Sequence, residues 1–520
     1  NYNNEYAARV QLLFEPSARL SVLLAADYDH SSNDLAVARN LYKDSRNVLG
    51  GTRVGSPLDH TGNVPRHAPA TQWGIAQTVT WDTGWATLKS ITAYRNWMLR
   101  ADYDQDLTPL AIVDVYQRYN NYSFQQEFLL QGQTGPVNWT AGLFYYGSSG
   151  ELNPTQTFSA SGGPTNFSRF GEQTLDSYAG YLQATYAVTD RFNLTGGVRY
   201  TIDKHKMDAF FRADPGHPAG AGTIIARADG LKSTDKKPTW KVGADYKVNE
   251  DIMIYVSASR GFRSGAFNLN AITDPPVQPE ILTAFEGGFK TDLFDRRLRF
   301  NAAFFHYNYK DIQLSQVLSG GGFRVLNAAR AKLDGAEFEL TAVPPTPVGR
   351  LEISANLALL DAKYSSFPGA PITLPNPVVS VPPNVTCPDV RPTTAAGNLS
   401  CFGDASGARM IRAPKWTAAA SVNYTIPVAA GELELSANYF HSDGFYWEPS
   451  NRTRQDPYDV INAQIAYSPD GSRWRIRVFG RNLGDETYYN SLAEQAIGDA
   501  ATAFPPRTYG VGFDYKLGAH

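Results

Sequence analysis

The sequence has no long apolar run, which excludes the most common way of crossing a membrane. No stretch approaches the roughly 18 apolar residues of a membrane-spanning helix, and the longest runs resemble the segment from Leu20 to Ala26. An excess of one charge is also lacking, because 47 basic residues stand against 50 acidic ones. The near-neutral balance gives no electrostatic case for a nucleic-acid partner.

Cysteine is almost absent, since Cys387 and Cys401 are the only two in 520 residues. Both lie in one proline-rich stretch, and an isolated pair is typical of a disulfide made in an oxidising compartment. Two free thiols are the alternative. We predict a disulfide inside a long loop, residues 362–412, where bridge and prolines together restrict the chain.

Aromatic residues and strand-like alternation are abundant. The chain carries 29 Tyr, 27 Phe and 9 Trp, as is usual where many side chains lie at a membrane–water interface, although a large soluble β-protein also favours aromatics. A period of two recurs along the chain and predicts strands with one apolar and one polar face. In one such segment Trp474, Ile476 and Val478 alternate with Arg473, Arg475 and Arg477.

The links between 19 predicted strands alternate between short turns and mostly long loops, such as 148–173 and 207–237. This alternation is typical of outer-membrane barrels, whose short turns are periplasmic, and a soluble sandwich has no reason to keep it. We therefore predict an all-β fold, a transmembrane antiparallel outer-membrane β-barrel. The direction of the first and last strands requires an odd number of strands before Asn1. Three more would give 22, the size at which barrels hold a plugged lumen.

Several segments resemble the TonB-dependent receptor family, and together they cover essentially the whole chain. They are YVSASRGFRSGAFN (255–268), PEILTAFEGGFKTDLFDRRLRFNAAFFHYNYKDIQ (279–313), LDGAEFEL (333–340), FGRNLGDETYY (479–489), VQLLFEPSARLSVLLAADY (10–28) and LKSITAYR (88–95). The resemblance implies energised uptake of a ligand too large or too rare for porins. It also implies an N-terminal plug domain in the lumen and a preceding segment that meets the TonB protein.

On this resemblance, residues 1–520 form the C-terminal major part of the barrel. The chain opens with polar NYNNEY rather than a signal peptide, so we expect the signal peptide, the plug and the first strands to precede it. The expected partners are the TonB complex, outer-membrane lipid, lipopolysaccharide and a small-molecule ligand, in the outer membrane of a Gram-negative bacterium. We expect a ferric siderophore or similar chelate. The alternatives are a passive porin-like channel or TonB-dependent uptake of saccharides or aromatic compounds.

No pattern of catalytic residues or metal ligands emerges. The serines lack a nucleophile-elbow context, and the eight histidines are scattered without metal-ligand spacing. We therefore predict a protein that is not an enzyme and needs no cofactor. The segment DYDQD (102–106) resembles the start of a calcium loop, but Leu107 replaces its glycine and Val113 its glutamate. We interpret it as solvated loop acid without a metal.

The candidate ligand contacts are arginines and aromatic residues, which are frequent in binding surfaces. Arg263 lies at the outer end of its strand, and the alternation of that strand places it on the lumen-facing side. It could therefore meet an anionic ligand or pair with an acidic plug or wall residue. An outer loop, 444–454, adds Tyr446, Trp447, Arg452 and Arg454, for which an aromatic girdle with lipopolysaccharide contacts is the alternative. Arg473, Arg475 and Arg477 are expected to face the lumen and to pair with plug carboxylates.

Overall fold

The structure is a computed structural model. It describes residues 3–34, 39–47, 49, 51–59, 62–64, 67–317, 323–375, 381–387 and 397–516. Within these ranges the chain forms 27 β-strands. No helix long and apolar enough to cross a membrane occurs in them.

The strands follow one another along the chain with short turns at alternate ends. The first 14 are β1 (Asn3–Ser17), β2 (Leu20–Asp34), β3 (Arg39–Leu41), β4 (His67–Asp82), β5 (Ala86–Asp104), β6 (Asp114–Thr134), β7 (Val137–Phe158), β8 (Phe167–Thr189), β9 (Phe192–Ala213), β10 (Ile224–Lys247), β11 (Ile252–Arg263), β12 (Glu280–Leu293), β13 (Leu298–Val317) and β14 (Phe323–Ala342). The others are β15 (Arg350–Ser366), β16 (Ala370–Pro375), β17 (Val385–Thr386), β18 (Asn398–Gly403), β19 (Trp416–Val428), β20 (Gly431–Ser442), β21 (Phe445–Tyr446), β22 (Arg454–Gln455), β23 (Tyr458–Pro469), β24 (Trp474–Arg481), β25 (Tyr489–Gln495), β26 (Gly498–Ala503) and β27 (Thr508–Tyr515).

One large antiparallel sheet dominates the molecule and contains 19 strands within the described residues. Strands that follow one another along the chain in this sheet pair side by side, from β1 to β27, as in an up-and-down barrel. The other strands form three small sheets in the long loops: β16–β18–β17, β21–β22 and β25–β26–β3. The predicted all-β fold is confirmed, and the total of 22 strands stays a prediction.

The strands of the large sheet extend far beyond the short turns. A membrane-crossing β-strand needs about 9–11 residues, whereas β8 has 23 and β10 has 24. The predicted loops 148–173 and 207–237 are therefore mostly strand, which corrects the sequence-based boundaries. Above the bilayer both faces of a hairpin can meet water, so the apolar alternation that marks a strand in the sequence disappears there.

Register shows which side chains share a face, because residues opposite each other in paired strands point to the same side. Following the pairs from β11 to β24 identifies one polar face, which includes Ser257, Glu286, Phe305, Glu337, Asn356, Ser421, Asn438, Asn462 and Arg477. The opposite face carries exposed apolar side chains, among them Val256, Phe304, Val422, Ile465, Val478 and Val511. Such an apolar outer band is what a membrane barrel presents to lipid.

Candidate ligand-binding site

The connection between β11 and β12, residues 264–279, folds over the polar face of the sheet, and we refer to it as the inner loop. The backbone N–H of Phe267 donates to Gln173 Oε1 on β8 at 3.1 Å. The Oδ1 atom of Asn268 accepts from the N–H of Val325 on β14 at 2.7 Å. Because β8 and β14 are six strands apart, about 29 Å along the wall, a loop touching both lies on the concave side. The polar face is therefore the lumen face.

The start of the inner loop is fixed by several hydrogen bonds. The N–H of Gly265 donates to Asp235 Oδ2 at 3.0 Å, and Gln313 Nε2 donates to the Ser264 carbonyl at 2.8 Å. A Cβ atom at position 265 would collide with the Val277 carbonyl oxygen. This crowding explains why the Arg-Ser-Gly segment ends in glycine.

Apolar side chains hold the rest of the inner loop against the wall. Phe267 and Ile272 are buried in a cluster with Met207, Ala209 and Ala228 from β9 and β10. Burial of a large apolar side chain contributes roughly 1.5–3 kcal/mol. The loop is thus a packed element of the lumen.

A cavity of about 650 Å³ lies between the inner loop and the upper wall of the lumen. This volume suits a small organic ligand. The lining mixes aromatic, amide and charged side chains, including Arg95, Trp97, Tyr119, Asn121, Gln173, Arg263, Phe267 and Phe323. The arrangement can stack a planar ligand and attract a negative one.

Arg263 is the predicted contact that the structure places on this cavity. Its Nη1 atom lies 3.9 Å from Glu280 Oε1, and 69% of the arginine side chain remains exposed. Glu280 already accepts hydrogen bonds from the Tyr309 hydroxyl and the Gln313 N–H, both at 2.7 Å. The arginine therefore keeps most of its donor groups open to the cavity.

The other four predicted contacts lie in the outer layer, by which we mean the small sheets β21–β22 and β25–β26–β3 with their connecting loops. Trp447 is 4% exposed and packs with Tyr42, Leu492 and Ala501. Arg452 forms ion pairs within the layer, and Tyr446 pairs with Arg454 between β21 and β22. None of the four is among the described residues that line the cavity. Their role as ligand contacts stays a prediction.

Sequence reasoning did not single out most of the cavity lining. Trp97, Tyr119, Phe267 and Phe323 lie on separate strands and loops, so no local motif joins them. One signal was present, because Arg95 and Phe267 fall in the segments 88–95 and 255–268, which resemble the receptor family.

The acidic segment 102–106 is not solvated, so that part of the sequence interpretation was wrong. Asp102, Asp104 and Asp106 are 6%, 0% and 0% exposed. The segment is covered because Leu107 packs with Leu41 and Ala500 from the outer layer. Burial raises the pKa of Asp104 to about 6, and the neighbouring charge of Asp106 adds to the shift.

The remaining predicted sites lie at opposite ends of the barrel. In loop 362–412 a disulfide joins Cys401 of β18 to Cys387, the residue after β17. On the lumen face, Arg475 Nη2 lies 2.7 Å from Glu434 Oε2, and Arg477 Nε lies 3.6 Å from Asp514 Oδ2. Arg473 precedes β24, where its carbonyl accepts from the Lys516 N–H. Two of the arginines thus have carboxylate partners in the barrel wall.

An apolar outer band, a polar lumen and a cavity under long loops define a membrane β-barrel able to hold a ligand at one mouth. The chain belongs to the TonB-dependent receptor-like β-barrel family, whose model matches residues 23–483. This confirms the resemblance found in the sequence.

Among known proteins, the chain is similar to the pesticin receptor of Yersinia pestis, with 24% identity over 393 residues. That match covers 72% of this chain and 49% of the receptor, so the chain spans about half the length of this relative. The ferric yersiniabactin uptake receptor FyuA from Yersinia pestis has a similar structure, with a TM-score of 0.76 and 18% identity over 99% of this chain and 71% of that one. The siderophore receptor PiuA from Acinetobacter baumannii also has a similar structure, with a TM-score of 0.72 and 16% identity. That match covers 99% of this chain and 74% of PiuA. The family and these neighbours are transport receptors, not enzymes, in line with the prediction.

Proposed function

We propose that this chain forms the barrel of an outer-membrane receptor that takes up a ferric siderophore or a similar chelate. The observation that carries the proposal is the cavity beneath the inner loop, where the exposed Arg263 lies among aromatic side chains. The names of its relatives, a pesticin receptor, a ferric yersiniabactin uptake receptor and a siderophore receptor, support the same ligand class.

Charge and stacking together explain why a metal chelate would suit this cavity. A guanidinium attracts the negative oxygens of a chelate and can donate two parallel hydrogen bonds. Arg95 also lines the cavity, but both its Nη atoms bind Asp27, at 3.1 and 3.0 Å, which offsets much of its charge. Arg263 is therefore the principal anion contact in the proposal.

The proposal includes the parts of the receptor implied by the family. Residues 1–520 would be the C-terminal major part of the barrel, with a plug domain inside it and TonB as the energy-coupling partner. Lipid would surround the apolar face, and lipopolysaccharide would contact the outer end. Arg473, Arg475 and Arg477 would meet plug carboxylates in addition to the wall partners of Arg475 and Arg477.

A second candidate is the uptake of a neutral aromatic compound, which the aromatic lining favours. Trp97 and Phe323 are exposed where they border the cavity, so they could stack on a planar ligand without help from a charge. The two candidates differ in their dependence on Arg263.

Ligand binding to the purified full-length receptor tests the choice. Ferric complexes of catecholate, hydroxamate and citrate type would be titrated while tryptophan fluorescence is followed, because Trp97 borders the cavity. We expect quenching by at least one ferric complex and at least tenfold weaker binding in Arg263→Ala. The control is Arg227→Ala, which removes an exposed arginine of β10 outside the cavity lining. Equal affinity in wild type and Arg263→Ala would exclude the anionic-chelate proposal and favour the aromatic one.

A further inference from the structure

Three buried carboxylates meet where β5 and β6 join at the outer end of the barrel. One oxygen atom from each of Asp104, Asp106 and Asp114 lies within 4.8 Å of the other two. Asp114 is 2% exposed, and the other two are fully buried. We refer to these residues as the acidic trio.

Backbone geometry brings the trio together. Asp104 is the last residue of β5 and Asp114 the first of β6, and the two are opposite each other in the register. Their side chains therefore point to the same side of the hairpin. The loop between them folds back so that Asp106 accepts hydrogen bonds from the N–H groups of Thr108 and Val113, at 3.0 and 2.7 Å. This arrangement differs from the calcium loop considered from the sequence, since Asp102 takes no part.

The described arginines on either side of the trio pair with a different carboxylate. Arg100 and Arg118 both pair with Asp102, at 2.7 and 3.3 Å. In the described part of the chain no salt bridge reaches Asp106 or Asp114. Buried carboxylates are normally paired with cations or coordinate metals.

A separate observation concerns an acceptor atom without a partner. Asp114 Oδ2 accepts from Asn63 Nδ2 at 3.1 Å. Its Oδ1 atom is buried and has no hydrogen-bond partner among the described residues, and the same is true of Gln105 Oε1 beside the trio. Buried acceptors in folded proteins are rarely left unpaired, so the Asp114 oxygen is available to bind a cation beside Asp104 and Asp106.

We propose that Asp104, Asp106 and Asp114 bind one calcium ion in the outer loops. Calcium takes 6–8 oxygen ligands at 2.3–2.6 Å and accepts irregular sets of carboxylates, amide carbonyls and waters. Two oxygens bound to one such ion are at most about 5 Å apart, which the trio satisfies. Magnesium is smaller, requires a near-octahedral set and usually keeps several waters. It suits a buried carboxylate trio less well.

The position of the site indicates what the ion does. Leu107 packs with Leu41 and Ala500, and Val113 packs with Ile497. The hairpin that holds the trio therefore touches loop segments from near both ends of the chain. Calcium binding fixes this hairpin and so stabilises the outer layer above the lumen.

The test uses the full-length receptor purified in detergent, treated with EGTA and then titrated with CaCl₂. We expect one saturable calcium site per receptor by calorimetry and an increase in Tm on calcium addition. Equal concentrations of MgCl₂ should give a much smaller increase. In Asp114→Asn, which can keep the Asn63 contact, the calcium-induced increase should be lost.

A control variant and a second measurement make each outcome decisive. Asp229→Asn removes an exposed carboxylate of β10 that pairs with Arg227, and this variant should respond to calcium like wild type. Calcium held by bound lipopolysaccharide would raise the Tm of all three proteins alike and would overturn the proposal. If Asp114→Asn does not fold, Tb³⁺ luminescence excited through Tyr103 and Tyr116 in wild type decides. Absence of a calcium-displaceable signal would refute the site.

Discussion

Arg452 and Asp499 form a two-armed ion pair in the outer layer. Nη1 and Nη2 of the arginine lie 2.7 Å from the two carboxylate oxygens, and Nη2 also lies 3.2 Å from Glu494. The pair joins the loop between β21 and β22 to the β25–β26 hairpin, and Asp499 is almost completely buried. The loop that the sequence suggested as a ligand contact thus has a structural role in holding the layer together.

Removing this arginine should loosen the outer layer without unfolding the barrel. Arg452→Ala leaves Asp499 and Glu494 buried without their cation, and breaking a buried pair in this way costs about 3–5 kcal/mol. We expect much faster hydrogen exchange in residues 489–503 and an unchanged barrel Tm. Arg454→Ala, at an exposed position of β22, serves as the control. Unchanged exchange in Arg452→Ala would show that the pair does not stabilise the layer.

The inner loop provides a test based on two glycines. Gly265→Ala introduces a Cβ atom against the Val277 carbonyl, whereas a Cβ at Gly261 meets only open space. We expect Gly265→Ala to displace the loop and weaken ferric-chelate binding at least tenfold. Gly261→Ala should bind like wild type. If both variants bind equally well, the inner loop does not shape the binding site.

Glu448 should make the stability of the outer layer depend on pH. Burial and the nearby charge of Glu494 raise its pKa from 4.5 to about 8. The folded layer therefore holds a proton that the opened layer releases, so this stabilisation is complete below pH 4.5 and is lost as the pH rises through 8. Hydrogen-exchange protection factors of residues 445–455 should fall between pH 6 and 9.

Replacement of the carboxyl tests the assignment of this effect. Glu448→Gln cannot ionise, so its protection factors should fall much less over the same pH range, with any remaining fall due to the buried Glu494, whose pKa is also raised by burial. Glu250→Gln, at an exposed short turn, should retain the wild-type dependence. A fall of equal size in Glu448→Gln would assign the effect to another group.

Neighbouring positions of β23 test the orientation of the barrel wall. Ile465→Arg places a charge on the apolar face, where it costs about 2–4 kcal/mol near the bilayer midplane. Gln464→Arg places the same side chain on the lumen face, beside a cavity of about 360 Å³, and should cost much less. Folding into lipid vesicles at increasing urea concentrations measures both. Equal losses, or a larger loss for Gln464→Arg, would reverse the assignment of the faces.

The sequence predicted the strands best where one face meets lipid. In β24, Trp474 and Val478 alternate with the lumen-facing Arg475 and Arg477, and this contrast is a local signal that one sequence can reveal. Above the bilayer the contrast is lost, so the upper ends of β7 to β10 were predicted as loops.

The site depended on contacts between distant parts of the chain, which a single sequence does not reveal. Arg263 was predicted as a ligand contact because the alternation of β11 places it on the lumen-facing side. Trp97 and Phe323 line the same cavity although they lie on distant strands, β5 and β14. The burial of Asp104 and Asp106 likewise depends on Leu41 and Ala500, which lie far apart in the sequence.

Uptake of ⁵⁵Fe by iron-starved cells tests the central claim most directly. Cells lacking the native receptor would carry either the full-length protein or its Arg263→Ala variant, and each would be supplied with the ferric chelate that binds the purified receptor. We predict uptake with the wild type, loss of that uptake when a protonophore collapses the proton gradient, and at least tenfold less uptake at low chelate concentration with Arg263→Ala. Uptake that continues without the gradient and is equal in both proteins would contradict the account and indicate a passive channel.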